Sequence, residues 1–493
     1  MRSRARALML QGTASHVGKS VLTAAFCRVF REAGRDVAPF KAQNMALNTY
    51  VTRDGGEIGW AQAMQAEAAG LEPTVEMNPV LLKPQTGGSQ VIVHGKVWAT
   101  LSPREYYRRR AELWEAVRAA YGRLASAHEL IVIEGAGSPA EPNLSTFDIT
   151  NMAVARLARA PVVLVGDIDR GGVFASLLGT LALLSGRERR RVRGFLINRF
   201  RGDRDLLTPA VEFLERRSRR PVLGVVPYLP DLHLPEEDSV ALDERRSAPA
   251  GRPAIAVVRL PHIANFTDFA PLAADPAVEL SYVRRPDELA GAALVILPGS
   301  KDTLADLRWL HASGFAEALR AHAARGGRLA GICGGFQMLG DAVEDPEGLE
   351  GGGRAEGLGC LPVTTLLDRG KIARRVRARL AGDSQPFEAY EIHLGRTRAE
   401  GSLPPLAILD DGEGGRPDGA VSADGRIWGT YLHGLLDAPH VRERLLGGLA
   451  ARPPEAAGAG DYRALREREY RRLAAHIREH VDLDAVLLLA GAR

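Results

Sequence analysis

Short, almost unbroken apolar runs recur through the first half of the chain, at residues 7–10, 37–40, 130–134, 162–166, 194–198 and 222–226. Segments long enough for a helix separate them, and a strand that is apolar at nearly every position is one buried on both faces. The pattern predicts an α/β fold, a mostly parallel sheet flanked by helices. A second series starts at 255–258, continues at 294–297 and 328–332 and returns at 427–433, predicting a second domain of the same class. Between 232 and 252 the periodicity lapses into an acidic, proline-bearing stretch (Glu236, Glu237, Asp238, Asp243, Glu244, then Ala248-Pro249-Ala250-Gly251), which reads as a linker. From Gly458 onward the pattern is that of a charged amphipathic helix packed on the core. The expected division is a domain over 1–231, a linker over 232–252, a second domain over 253–452 and a helical tail over 453–493, with no internal repeat.

Composition narrows the setting. A chain of 493 residues has room for two to four domains with cores of their own. Three cysteines (Cys27, Cys333, Cys360) without a CxxC pair fit a reducing compartment, and no window reads as a signal peptide or membrane span, so a cytoplasmic protein is expected. The net charge of +4 is small for this length. Arginine clusters at 187–193 and 216–220 lack interleaved aromatics and read as solvated faces, so nucleic acid is not an expected partner. Lysine is rare: Lys19, Lys41, Lys83, Lys96, Lys301 and Lys371 are the full set, in polar loops where a compact point charge is called for.

In parallel sheets ligands collect beyond the carboxyl ends of the strands. After the first run comes Gly12-Thr13-Ala14-Ser15-His16-Val17-Gly18-Lys19-Ser20, then a helix over 21–33. Glycines let backbone N–H groups face a phosphate, Lys19 can reach the outer phosphates and Ser20 can ligate Mg²⁺. The loop carries one residue more between its glycines than the commonest form. After the second run, Lys41, Gln43 and Asn44 crowd a cation and amides at the same sheet edge, and Lys83-Pro84-Gln85 is similar. Glu134 ends the third run beside Gly135-Ala136-Gly137-Ser138, placed to hold the nucleotide's metal. After the fourth run, Asp167, Asp169 and Arg170 beside Gly171-Gly172 either contact phosphate or salt-bridge one another.

In the second domain Gly331-Ile332-Cys333-Gly334-Gly335 follows a buried run and opens a helix. A cysteine at such a corner is presented as a nucleophile, with N–H groups at the helix start to hold an oxyanion. Gly299, Gly334 and Gly335 are the candidate oxyanion and ligand-binding positions. His433, at the end of an apolar strand about a hundred residues on, is the candidate base for the thiol. Cys27 lies in an amphipathic helical pattern and is expected in the core.

These motifs carry a resemblance. The second domain resembles class I glutamine amidotransferases, and the first resembles the ATP-binding module of dethiobiotin synthetase, which shares the lengthened phosphate loop. Joined in this order, with the stretches 40–49, 134–138, 167–172, 197–202 and Asn265-Phe266-Thr267-Asp268-Phe269, they resemble the cobyric acid synthase family over nearly the whole chain. The resemblance implies that glutamine is hydrolysed at Cys333 and that ATP with Mg²⁺ activates peripheral carboxylates of a corrinoid, adenosylcobyrinic acid a,c-diamide, for four amidations. Many amidotransferases carry a glutamate two residues after the histidine. Leu435 stands there, as the resemblance implies for this group, so Glu391 and His393 become the sequence candidates for orienting His433. The sister enzyme that amidates the a and c carboxylates, and an ATPase switch of the partitioning kind, remain alternatives; the oligomeric state stays open.

Overall fold

The computed structural model describes residues 5–85, 87–143, 148–235, 252–411, 414–447, 449 and 461–491. Most of the expected linker, including all its acidic residues and the Ala248–Gly251 turn, and the start of the expected tail lie outside the described residues.

The first sheet contains β1 (Arg6–Gly12), β2 (Val37–Phe40), β3 (Leu130–Glu134), β4 (Val162–Asp167), β5 (Val192–Phe200) and β6 (Val222–Pro227). All are parallel, in the order β6-β5-β4-β1-β3-β2. The apolar runs fall on these strands because each is covered on both faces. Helix α1 (Lys19–Glu32) begins two residues earlier than its apolar periodicity, so the lysine and serine of the phosphate-loop pattern form its first turn. The order reverses around β1, and ligands bind at such a switch point. Helix α2 (Trp60–Ala69) packs on α1.

The second sheet contains β7 (Ala254–Val258), β8 (Glu279–Val283), β9 (Leu294–Leu297), β10 (Arg328–Ile332), β11 (Ala420–Val421) and β12 (Ile427–Thr430), in the order β8-β7-β9-β10-β12-β11. Only the β11–β12 pair is antiparallel. Helix α3 (Gly334–Leu339) leaves β10 at Cys333.

Further sheets that the apolar runs do not announce flank both units. One is mixed: Gln43–Met45 runs parallel to Val80–Gln85, which continues antiparallel through Gly88–Val93 and Lys96–Leu101; another is antiparallel and includes Ile372–Leu380 and Pro386–His393, with Leu432–His433 paired to the latter. Lys83 therefore lies within a strand, not in a loop. The chain ends in α4 (Tyr462–His480) and α5 (Leu483–Ala490). Leu473, Ile477 and Val486 share a core with Phe26 and Phe30 of α1, each such buried side chain contributing about 1.5–3 kcal/mol. Asp482 N–H donates to the Leu223 carbonyl at 2.8 Å, tying the chain's end to the edge strand β6.

Candidate active site

The phosphate-type loop is held by close backbone approach. A Cβ on Gly12 would lie 2.7 Å from the Ala14 carbonyl and from Lys19 Nζ, so only glycine fits. Gly18 has φ +93°, and its α-carbon faces Asn198, whose Nδ2 donates to the Val17 carbonyl at 2.9 Å. Thr13 N–H donates to the Val165 carbonyl at 2.9 Å. Lys19 Nζ donates to the carbonyls of Ala14 at 2.8 Å and Gly137 at 3.2 Å, where phosphate oxygens are the natural competitors.

Glu134 gathers this end of the sheet. Its Oε1 accepts from Ser20 Oγ at 2.9 Å and Lys41 Nζ at 2.8 Å, and its Oε2 from Gln65 Nε2 at 2.5 Å. A hydroxyl and a carboxylate oxygen this close are the hard donors Mg²⁺ accepts, and they fit an ion that takes its remaining ligands from phosphate and water. Among the described residues no three or more His, Cys, Asp or Glu side chains converge as a metal cage. Cys27 is fully buried on α1, where desolvation first and the Glu134 charge second push its thiol far above the ordinary range; it belongs to the core, as expected.

The remaining candidates of this half divide. Gln43 Oε1 accepts from the Tyr106 hydroxyl, and Asn44 Nδ2 donates to Gln62 at 2.9 Å. Asp167 and Asp169 do not pair with Arg170, which is exposed. They pair with Arg199, in the last residues of β5, and Arg201, just past it, each at 3.0 Å, because parallel neighbours bring their carboxyl ends together.

The second site is built on the corner at Cys333. Its φ of +55° is a strained conformation for a side-chain-bearing residue, which a nucleophile elbow uses to present the side chain. The neighbouring glycines are required by contact. A Cβ on Gly331 would meet the Gly335 carbonyl at 2.6 Å, one on Gly335 the Leu297 carbonyl at 2.0 Å, and one on Gly334 the Ser300 nitrogen at 2.9 Å. Gly299 packs beneath His433, its Cβ position 3.5 Å from Cε1.

His433 is fully buried, and its Nδ1 lies 2.6 Å from Asp268 Oδ2. Burial opposes the imidazolium, but Asp268, with the Cys333 sulfur adding a hydrogen bond and charge, outweighs it and pushes the His433 imidazole up to about 10. This corrects the expectation for the orienting group: neither Glu391 nor His393 serves. Glu391 is clamped by Arg374 and Arg416, each at 2.6 Å, and although burial favours its neutral form, His393 and these arginines hold it down to about 2. His393 stacks on Tyr431 with centroids 3.8 Å apart. Asp268 sits in the Asn265–Phe269 stretch, where no local pattern marks it as the partner of a histidine 165 residues away.

The cavity over Cys333 is walled from both halves. Lys83 and Gln90 come from the first; Lys301, Gln337, Glu350 and Lys371 from the second. Glu57 joins them, bridging Lys83 at 2.6 Å and Lys371. Burial favours its neutral form, yet the two lysines hold it far below the carboxylate range. Lys301 donates to Gln85 at 2.8 Å; burial and then Lys83 lower its pKa, while burial raises that of Glu350.

The seam continues through 47–51. Asn48 Oδ1 accepts from Thr267 N–H at 3.4 Å, Asn265 Oδ1 from Thr49 N–H at 3.0 Å, and Arg375 Nε donates to the Val51 carbonyl at 3.1 Å. At the far side Arg466 of α4 reaches Glu67 on α2 and Asp437, four residues past His433, both at 3.1 Å.

Comparison with known proteins agrees with this architecture. Residues 8–241 match the CobQ/CobB/MinD/ParA nucleotide binding domain, and residues 254–441 match the CobB/CobQ-like glutamine amidotransferase domain. A cobyric acid synthase of Sorangium cellulosum is 53% identical, covering 96% of each chain. One of Pelotomaculum thermopropionicum is 50% identical over 99% of this chain and 97% of its own, and one of Syntrophobacter fumaroxidans is 47% identical over 100% of both.

Proposed function

We propose how the two sites divide the work in this chain, which belongs to the cobyric acid synthase family and is an ATP-dependent amide ligase with a glutamine amidotransferase domain. The substrate is a corrinoid, adenosylcobyrinic acid a,c-diamide, whose b, d, e and g carboxylates are amidated with nitrogen from glutamine. We assign 1–231 to the ligase, 253–452 to the glutaminase, 232–252 to the linker and 453–493 to a tail that clamps the two. No helix among the described residues is long and apolar enough to cross a membrane; we assign the chemistry to the cytoplasm, where ATP and glutamine are supplied.

In the glutaminase, the Cys333 thiol proton rests on His433 as an imidazolium, and the thiolate attacks the glutamine side-chain amide. Asp268 fixes the tautomer and stabilises the imidazolium. Backbone N–H groups around Gly299, Gly334 and Gly335 hold the oxyanion. The imidazolium returns its proton to the leaving ammonia, and water hydrolyses the glutamyl thioester. The lysines and Glu350 around the cavity offer charges suited to the α-carboxylate and α-ammonium of glutamine.

In the ligase, a substrate carboxylate attacks the γ-phosphorus of ATP and ADP leaves. The acyl phosphate formed makes a poor leaving group into phosphate, which ammonia displaces. Gly12, Thr13, Gly18 and Lys19 cradle the phosphates, and Lys19 leaves its carbonyls for the transferring group. Ser20 and Glu134 would hold Mg²⁺, which would neutralise phosphate charge, and Lys41 beside them answers to substrate or phosphate. Ammonia in bulk water is protonated and no longer a nucleophile, so it must pass within the seam.

The observation that carries this reading is the shared wall of the Cys333 cavity, to which the ATP-binding half contributes Lys83 and Gln90. Purified protein incubated with ATP, glutamine and either cobyrinic acid or its a,c-diamide tests it: amidation of the diamide is expected. A product from cobyrinic acid alone sinks the assignment in favour of the a,c-diamide synthase; ATP hydrolysis without amidation favours an ATPase switch.

A further inference from the structure

Asn265 stands outside the line from Cys333 through His433 to Asp268, yet it touches the base. Its backbone is left-handed, φ 51°, a conformation that asparagine tolerates better than most residues. Its Oδ1 accepts from Thr49 N–H at 3.0 Å and from Thr49 Oγ1 at 3.3 Å, both in the ATP-binding half. A backbone N–H can only donate. The carbonyl end of the amide is therefore fixed on Thr49, and the NH₂ end faces Nε2 of His433 at 3.4 Å.

An amide N–H aimed at Nε2 needs a lone pair there. It favours neutral imidazole and opposes the imidazolium that forms when Cys333 gives up its proton. The other groups facing the ring are Asp268 on Nδ1, the Cys333 sulfur, and the Tyr390 ring, stacked with centroids 5.2 Å apart. Asp437, nearby on the same segment, is occupied by Arg466. Asn265 is thus the group that acts against Asp268, and its orientation is set from the other half of the molecule.

Resting on the assignment of Cys333 and His433 as the glutaminase pair, we infer that Asn265 is a positioning residue for glutamine hydrolysis. Held by Thr49, it restrains protonation of His433 and ties the readiness of Cys333 to the docking of the two halves. Lys41 and Thr49 lie at opposite ends of one short segment, and Lys41 grips Glu134 in the ATP site. A change there that shifts the segment relaxes the restraint.

The test is the pH dependence of Cys333 alkylation by iodoacetamide in the full chain, read by peptide mass mapping to separate it from Cys27 and Cys360. The profile belongs to the thiol–imidazole pair. Asn265→Asp keeps an acceptor for Thr49 but replaces the donor at Nε2 with a carboxylate. Its midpoint is expected to fall by about one pH unit, the size of one hydrogen bond gained by one protonation state. Asn265→Ala should move it the same way, and Thr49→Val, which loses one of the two bonds, by less. A role confined to holding the interface leaves Asn265→Asp at the wild-type midpoint, and that result, or an upward shift, overturns the inference. Should the wild-type profile not respond to His433→Ala, the pairing itself fails; a profile that responds to His433→Ala and not to Asn265→Asp sinks this inference alone.

Discussion

Asp268 Oδ2 lies 2.6 Å from His433 Nδ1, and its Oδ1 accepts from Gly434 N–H at 2.9 Å, so one carboxylate orients both the imidazole and the turn after it. Asp268→Asn leaves the shape and removes the charge. Glutamine hydrolysis should fall by roughly two to four orders of magnitude, while amidation supported by added ammonia persists. Steady-state assays with each nitrogen source check it.

The same pair makes stability depend on pH. His433 titrates near 10 in the folded protein against an ordinary 6.5, so between those values the folded state binds the extra proton. Stability from this group is fully present below about 6.5 and is lost as pH rises through about 10. Urea midpoints of wild type and Asp268→Asn should therefore differ more at pH 6 than at pH 10.

At the elbow, Gly335 approaches the Leu297 carbonyl so closely that a Cβ would sit 2.0 Å away. Gly335→Ala must push α3 off β9, costing about 3 kcal/mol or more, and it displaces Cys333 as well. Thermal unfolding should show the loss, with glutaminase activity falling alongside.

Arg466 is nearly buried and joins Glu67 of one half to Asp437 of the other. Arg466→Ala removes the cation that Glu67 and Asp437 share, and because both carboxylates are partly exposed the docked state should lose roughly 1–3 kcal/mol. Calorimetry should resolve two transitions where the wild type shows one.

The two parallel sheets were legible because strands buried on both faces are written as continuous apolar runs. Rare lysine was legible for a related reason: a buried ammonium needs a partner. Lys19 and Lys41 gather at the Glu134 end, and Lys83, Lys301 and Lys371 around the Cys333 cavity. The flanking, largely antiparallel sheets were not. In Ile372–Leu380 the arginines look like a solvated surface until Glu391 arrives from the neighbouring strand and Asp410 and Asp411 from the turn after another. The partnerships of Asp268 with His433 and of Glu57 with Lys371 span 165 and 314 residues, and no local pattern marks them.

The central claim is that Cys333 supplies nitrogen to chemistry performed at Lys19. It is tested most directly by measuring amidation of the a,c-diamide in Cys333→Ala and Lys19→Ala, each with glutamine and with ammonia. The account predicts that Cys333→Ala loses glutamine-dependent amidation and keeps the ammonia-dependent reaction, and that Lys19→Ala loses both. Glutamine-dependent amidation surviving in Cys333→Ala, or ammonia-dependent amidation surviving in Lys19→Ala, contradicts it.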